Sequence, residues 1–217
     1  MAKVAHFMDF EFETGNTTLF PRFETEVLVE KAVSIISKEI PEGERCEILD
    51  IGTGCGNIAI SLTNYIPSSR IVALDISEMA LSVAKKNAVR YGMEQRIEFV
   101  KSDLFENLWQ RSELSFDLVI SNPPYISLAD FTSLPEAVKE DPYVALYGGR
   151  DGMDFYRRIV NEAHFFMKRG AVLLTEVGYD QASCVKAMLE TSGVFGDAEI
   201  YKDYSGIDRI VKGRKNG

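Results

Sequence analysis

Apolar residues follow two rhythms along this chain. Five short runs are apolar almost throughout, as strands buried on both faces are: CEILDIG (46–52), RIVALDIS (70–77), IEFVKSD (97–103), FDLVIS (116–121) and AVLLTEVG (171–178). Between them the apolar positions recur at helical spacing. One helix opens at Glu24 with Val29, Val33, Ile36 and Ile40 in phase and Pro41 beyond its end. Others are predicted from Asn57 to about Tyr65, over 78–91 with Ser77 as N-cap and Gly92 as stop, and over 180–191. A further helix over 153–169 carries Ile159, Ala163 and Phe166 on one face and ends in Lys168-Arg169-Gly170. AEIYKD (198–203) and DRIVKG (208–213) read as a closing strand pair. Strands alternating with helices predict an α/β fold, a doubly wound, mostly parallel seven-stranded sheet with helices on both faces. Residues 4–20 read as two short strands around Gly15-Asn16, an N-terminal β-hairpin extension. The division expected is hairpin and linker over 1–23 and the main domain over 24–217, with no internal repeat or low-complexity tract.

Length and charge narrow the picture without deciding it. The chain's 217 residues suit one core better than two. A formal net charge of −9 argues against a surface built to hold nucleic acid or a membrane by itself, and leaves a basic protein open as partner. No apolar run approaches the roughly 20 residues of a membrane span, and MAKVAHFMDFEFE meets acidic residues too soon for a signal peptide. The 3 cysteines form no CxxC and the 2 histidines, His6 and His164, offer no zinc spacing, so no metal is expected and a reducing, cytoplasmic location fits best.

Candidate chemistry gathers at the strand ends. Ligands in doubly wound sheets bind outside the carboxyl ends of the strands, where strand order reverses. The first strand runs into Gly52-Thr53-Gly54-Cys55-Gly56, alternate glycines that turn tightly and let a ligand approach the backbone. A helix N-terminus follows, with free N–H groups that suit a carboxylate. The dinucleotide fingerprint would need glycine where Asn57 stands. The G-x-G-x-G spacing instead resembles the loop of S-adenosylmethionine-dependent methyltransferases. Asp75 ends the second strand, where an acid can accept from both ribose hydroxyls. Asp103-Leu104 ends the third, where a carboxylate can reach an adenine amine beside an apolar side chain. Three such signals at successive strand ends point together to S-adenosylmethionine, leaving S-adenosylhomocysteine as product.

The fourth strand stops at Asn122-Pro123-Pro124-Tyr125. A planar amide or aromatic amine is a poor nucleophile, because its lone pair is delocalised. To receive a methyl group its NH2 must be held rigidly with density turned toward the methyl. The side-chain oxygen of Asn122 and the carbonyl of Pro123 can each accept one N–H, and proline fixes φ before substrate arrives. Tyr125 can pack on the planar group. Positioning and local dipoles then carry catalysis without a strong base.

Several stretches resemble the bacterial release factor glutamine methyltransferases (the PrmC, or HemK, family). They are Phe20 to Glu26, Leu49 to Gly56, Ser121 to Ile126, EDPYVALYGGRDGMDFYRRI (140–159), GYDQ (178–181) and DYSGIDRIVKGR (203–214). The resemblance implies the class I S-adenosylmethionine-dependent methyltransferase fold and methylation of the glutamine N5 in the Gly-Gly-Gln (GGQ) loop of peptide chain release factors. Carried over by position, Gly52 to Gly56, Asp75, Leu104 and Asn122 would bind the cofactor, and Asn122 to Tyr125 would hold the glutamine. Arg22 and Thr25 fall near the mouth of the site, in an element that usually reads PRPETE; Phe23 replaces its second proline. Family members usually carry an N-terminal helical domain that helps grip the release factor, whereas this chain begins at about the linking hairpin.

The same residues admit other readings. NPPY presents the same acceptors to a flipped adenine, so nucleic acid N6-methylation competes. So does methylation of another translation protein, or a non-enzymatic cofactor-binding subunit. Cys55 reads as a packing residue, and His164 as a surface residue without a role. Trp109 is expected beneath the loop before the fourth strand. Glu176, ending the fifth strand, could face the site or be a buried or solvated carboxylate.

Overall fold

The computed structural model describes residues 3–111 and 113–217. Strands β1 (Lys3–Phe7) and β2 (Phe10–Thr14) pair as an antiparallel hairpin. Seven more strands form one sheet: β3 (Cys46–Ile51), β4 (Ser69–Asp75), β5 (Ile97–Lys101), β6 (Phe116–Ser121), β7 (Met167–Glu176), β8 (Phe195–Lys202) and β9 (Asp208–Lys215). Their order is β5-β4-β3-β6-β7-β9-β8, parallel except for β9, which runs against both its neighbours. The longer helices are α1 (Phe23–Glu39), α2 (Asn57–Tyr65), α3 (Glu78–Arg90), α7 (Asp154–Glu162) and α8 (Ala182–Thr191). Three single-turn helices, α4 (Leu128–Phe131), α5 (Glu136–Lys139) and α6 (Tyr143–Leu146), fill the stretch between β6 and α7.

The near-continuous apolar runs follow from burial on both faces. Ile48, Ile71, Leu118 and Leu174 point into one core with α1, α2 and the hairpin. Leu49, Leu74, Val119 and Leu173 alternate with them and point into a second core with α7 and α8. The chain winds outward from β3 to β5 and then returns to lay β6 on the other side of β3. Strand order therefore reverses between β3 and β6, whose last paired residues are Ile51 and Ser121. The glycine loop and the NPPY segment leave the sheet side by side.

Two elements differ from the sequence expectation. The hairpin turns at Met8-Asp9, and Gly15-Asn16 instead begins the connection to α1. Side-chain packing overrides the turn signal: Phe7 and Phe12 are both buried in the core beside α1 and α2, which fixes Phe7 opposite Phe10. Met8 takes a left-handed φ of 51° there, and its N–H donates to Glu26 Oε1 at 2.7 Å. The second difference is the helix expected over 153–169. It ends at Glu162, a 3-10 turn spans Ala163–Phe166, and Lys168-Arg169-Gly170 already belong to β7. Met167 lies opposite Phe116 and Lys168 Nζ reaches Asp117 at 2.7 Å, so these cations serve the sheet rather than a helix end. His164 thus sits in the turn, and half-exposed Trp109 packs on Phe165 and Phe166.

On α1 the buried stripe runs through Thr25, Leu28, Val29, Ala32, Ile35 and Ile36, so Val33 and Ile40 lie at its margin. Among the described residues no helix is long and apolar enough to cross a membrane. Because Phe12 is fully buried where hairpin meets sheet domain, Phe12→Ala is expected to cost about 3–5 kcal/mol, read as a lowered urea midpoint. A loss below about 1 kcal/mol would show that the hairpin is not part of the core.

Candidate active site

The glycine loop is tied down onto the end of β4. The N–H groups of Gly52 and Thr53 donate to the Leu74 carbonyl at 2.9 and 2.8 Å, and that of Gly54 to Asp75 Oδ2 at 2.9 Å. Asp75 Oδ1 accepts from the Ser77 N–H at 2.9 Å. Each Asp75 oxygen spends one lone pair on backbone and keeps another for a ligand hydroxyl. Burial raises the pKa of Asp75. Beneath the loop, fully buried Asp50 accepts from Thr53 Oγ1 at 2.7 Å; burial pushes its pKa up to about 7. Its other oxygen has no partner among the described residues.

Gly52, Thr53, Gly54, Cys55, Asp75, Asp103, Leu104 and Asn122 line one cavity, with Arg22 and Thr25. Gly52 and Gly54 adopt φ of 75° and 57°, and a Cβ on either would meet no protein atom within 4 Å. Gly56 does not line the cavity. A Cβ there would come within 3.2 Å of Ala84 and Ile60, so it is a packing glycine at the start of α2. The Cys55 thiol, pushed up to about 12 by burial, is inert.

At the end of β5, Asp103 Oδ1 accepts from Arg158 Nη1 at 2.8 Å. Arg158, on α7, lines the same cavity; it lies within the 140–159 stretch, which on its own assigns it no role. Leu104 takes a left-handed φ of 49° there, a conformation costing a non-glycine residue roughly 1–2 kcal/mol.

NPPY stands between this cavity and a second. Asn122 and Pro123 line both, Pro124 the first only, and Tyr125 the second with Glu24, Glu176 and Arg209. The loop is held from behind. Gln181 Nε2 donates to the carbonyls of Tyr125 at 2.9 Å and Gly152 at 3.3 Å. Ile126 N–H donates to Leu146 O and Gly148 N–H to Ile126 O, each at 2.9 Å. A Cβ on Gly152, whose φ is 74°, would lie 2.4 Å from the Tyr125 carbonyl, and one on Gly148 2.7 Å from that of Pro124. Arg22 pairs with Asp141, which also accepts from the Phe20 N–H at 3.1 Å. Among the described residues no protein donor reaches the Pro123 carbonyl or Asn122 Oδ1.

These positions fit an adenosyl ligand bearing a carboxylate. They offer paired acceptors at Asp75, a polar and apolar pair at Asp103-Leu104, and loop glycines without side chains before the N-terminus of α2. A family described as "Methyltransferase small domain" matches residues 25–136. A release factor glutamine methyltransferase of Geobacter sulfurreducens is 39% identical over 209 residues, 96% of this chain and 69% of that protein. That of Moorella thermoacetica is 37% identical over 203 residues, 94% and 69% of the two chains. The chain belongs to the release factor glutamine methyltransferase family. Among solved structures, the hMettl16 catalytic domain in complex with MAT2A 3′UTR hairpin 6 superposes with a TM-score of 0.71 at 17% identity, covering 94% of this chain and 74% of that one. At that identity the likeness speaks for a methyltransferase fold alone.

Within this methyltransferase, four of the stretches of family resemblance touch one another. Residues 140–159 and 178–181 grip the NPPY loop, and residues 20–26 are clasped to Asp141. Arg22 lines both cavities and is committed to an ion pair with Asp141. Thr25 is buried instead, donating from Oγ1 to Glu176 Oε2 at 2.7 Å and accepting from Asn122 Nδ2 at 3.0 Å. Tyr156 and Gln181, neither assigned from sequence, complete the support: the Tyr156 hydroxyl donates to Glu176 O at 3.1 Å. Gly152→Ala is expected to displace the Tyr125 backbone and slow methyl transfer about 100-fold, with cofactor affinity within about threefold of wild type. Isothermal titration and single-turnover assays check the two halves; an unimpaired rate would contradict the tight fit.

Proposed function

We propose that the chain transfers a methyl group from S-adenosylmethionine to the side-chain nitrogen of the glutamine in the GGQ loop of a peptide chain release factor. The observation that carries this reading is a pair of acceptors, Asn122 Oδ1 and Pro123 O, that have no partner among the described residues and stand at the junction of two cavities. The names of the relatives support glutamine as the target. When bound, the cofactor supplies a methyl activated by a positive sulfur; the amide nitrogen bonds to it as the sulfur–methyl bond breaks and one amide proton is released.

The protein's part is positioning. Asp75 accepts the ribose hydroxyls, Asp103 and Leu104 meet the adenine, and the N–H groups opening α2 meet the carboxylate. Asn122 Oδ1 and Pro123 O each take one N–H of the glutamine, turning nitrogen density toward the methyl. Both acceptors are fixed beforehand, because prolines 123 and 124 lock φ and Gln181 and Gly152 back the loop. Tyr125, with its phenol kept neutral by burial, packs beside the planar amide. An adenine amine would fit the same two acceptors, but a chain of net charge −9 is poorly suited to gather nucleic acid unaided.

Incubation with S-adenosylmethionine and a purified release factor is expected to add one methyl to the GGQ glutamine, located by peptide mass spectrometry. Methylation only at another residue, or only of DNA or RNA, would contradict the reading. Asn122→Ala is expected to lower the rate about 100- to 1,000-fold while cofactor binding persists.

A further inference from the structure

We propose that Glu176 is a positioning residue which, through Thr25, fixes the end of the Asn122 amide that faces the target nitrogen. The inference rests on the reading of Asn122 as an acceptor for that nitrogen. Three distant parts of the chain supply the parts: Thr25 from the first turn of α1, Asn122 from the end of β6 and Glu176 from the end of β7. Thr25 and Glu176 are each 1% exposed, so water does not compete for their hydrogen bonds.

The direction of these bonds follows from proton counting. An ionised carboxylate only accepts, so the single hydroxyl proton of Thr25 goes to Glu176 Oε2, 2.7 Å away. The Thr25 oxygen can then only accept, and it takes a proton from Asn122 Nδ2 at 3.0 Å. With its NH2 end spent on Thr25, the Asn122 amide presents Oδ1 at the junction of the cavities. Were the amide turned over, its NH2 would confront the N–H groups of the substrate and the site would repel what it must hold.

A neutral Glu176 undoes this logic. Protonated, the carboxyl donates to Thr25, the Thr25 proton turns to Asn122, and the amide oxygen is drawn inward. The groups facing Glu176 set where this happens. Burial raises its pKa to about 7 against the lowering effects of Thr25, of Arg209 on β9 and of the Asn122 amide, while Glu24 on α1 raises it further. Arg22 and Tyr125 line the same cavity, and burial keeps neutral both the Tyr125 phenol and that of Tyr156, which donates to Glu176 O from behind. The Arg209 guanidinium is shared with Asp203, 3.2 Å from Nε, and Val177 O, 3.0 Å from Nη1. A carboxylate whose folded pKa exceeds its unfolded value weakens the fold as pH rises toward that folded value, and the cost persists above it. At pH 8 ionised Glu176 therefore works against stability, so a purely structural role would give the opposite pattern.

The test is the pH profile of single-turnover methyl transfer to a purified release factor, for wild type and Thr25→Ser, Thr25→Val, Glu176→Gln and Asn122→Ala, with cofactor affinity by calorimetry. Wild type and Thr25→Ser are expected to share a limb that rises through pH about 7. Glu176→Gln keeps a carbonyl for Thr25 but cannot titrate, so it loses the limb and is at least as stable as wild type at pH 8. Thr25→Val removes the acceptor of the Asn122 NH2 and is expected to fall about 10- to 100-fold in rate with cofactor affinity unchanged. Persistence of the limb in Glu176→Gln, or a full rate in Thr25→Val, overturns the positioning role; if Thr25→Val does not fold, the Glu176→Gln profile decides. Near-normal turnover by Asn122→Ala would instead sink the acceptor reading beneath it. An inactive Asn122→Ala with the other variants like wild type would sink the positioning role alone.

Discussion

Two adjacent prolines have no N–H to give, and from that constraint the active-site side of the fold follows. β6 cannot extend past Ser121, because residues 123 and 124 cannot donate to a ladder. Their carbonyls remain, and an unsupported loop would let them wander. The chain answers with close backbone packing: Gly148 and Gly152 abut the loop where no side chain would fit, and Gln181 caps the Tyr125 carbonyl. Among the described residues no donor reaches the Pro123 carbonyl, which borders the cavity of the glycine loop. A strand terminator thus becomes a rigid acceptor.

The same region carries electrostatic costs. Asp50 and Glu176 are fully buried carboxylates, both pushed up to about 7 by desolvation. Each is held by a threonine hydroxyl, Thr53 for Asp50 and Thr25 for Glu176. Buried carboxylates of this kind do not stabilise a fold, and they lie at the carboxyl ends of β3 and β7, where ligands approach. Leu104, strained at the end of β5, belongs to the same pattern. Stability is given up at the strand ends and recovered from the two apolar cores behind them.

Much of this was legible in the sequence because the cause was local. The double-sided apolar runs of β3, β4 and β6 admit little but a wound sheet, and NPPY announces its own rigidity. What escaped was set by tertiary contact. Gly15-Asn16 looks like a hairpin turn, yet burial of Phe7 and Phe12 moves the turn to Met8-Asp9. Lys168-Arg169-Gly170 looks like a helix end, yet Asp117 and the register with β6 draw it into a strand. Gly56 shares the spacing of the cavity-lining glycines but packs against Ala84. Glu176 was undecidable from its neighbours in sequence, since its meaning lies in Thr25, 151 residues away.

The most direct test of the central claim is a crystal structure with S-adenosylhomocysteine and a peptide containing the GGQ glutamine. The account predicts the glutamine NH2 at the junction of the two cavities, with one hydrogen on Asn122 Oδ1, the other on Pro123 O, and Asn122 Nδ2 still on Thr25. A glutamine seated elsewhere, or one whose NH2 meets neither oxygen, would contradict it.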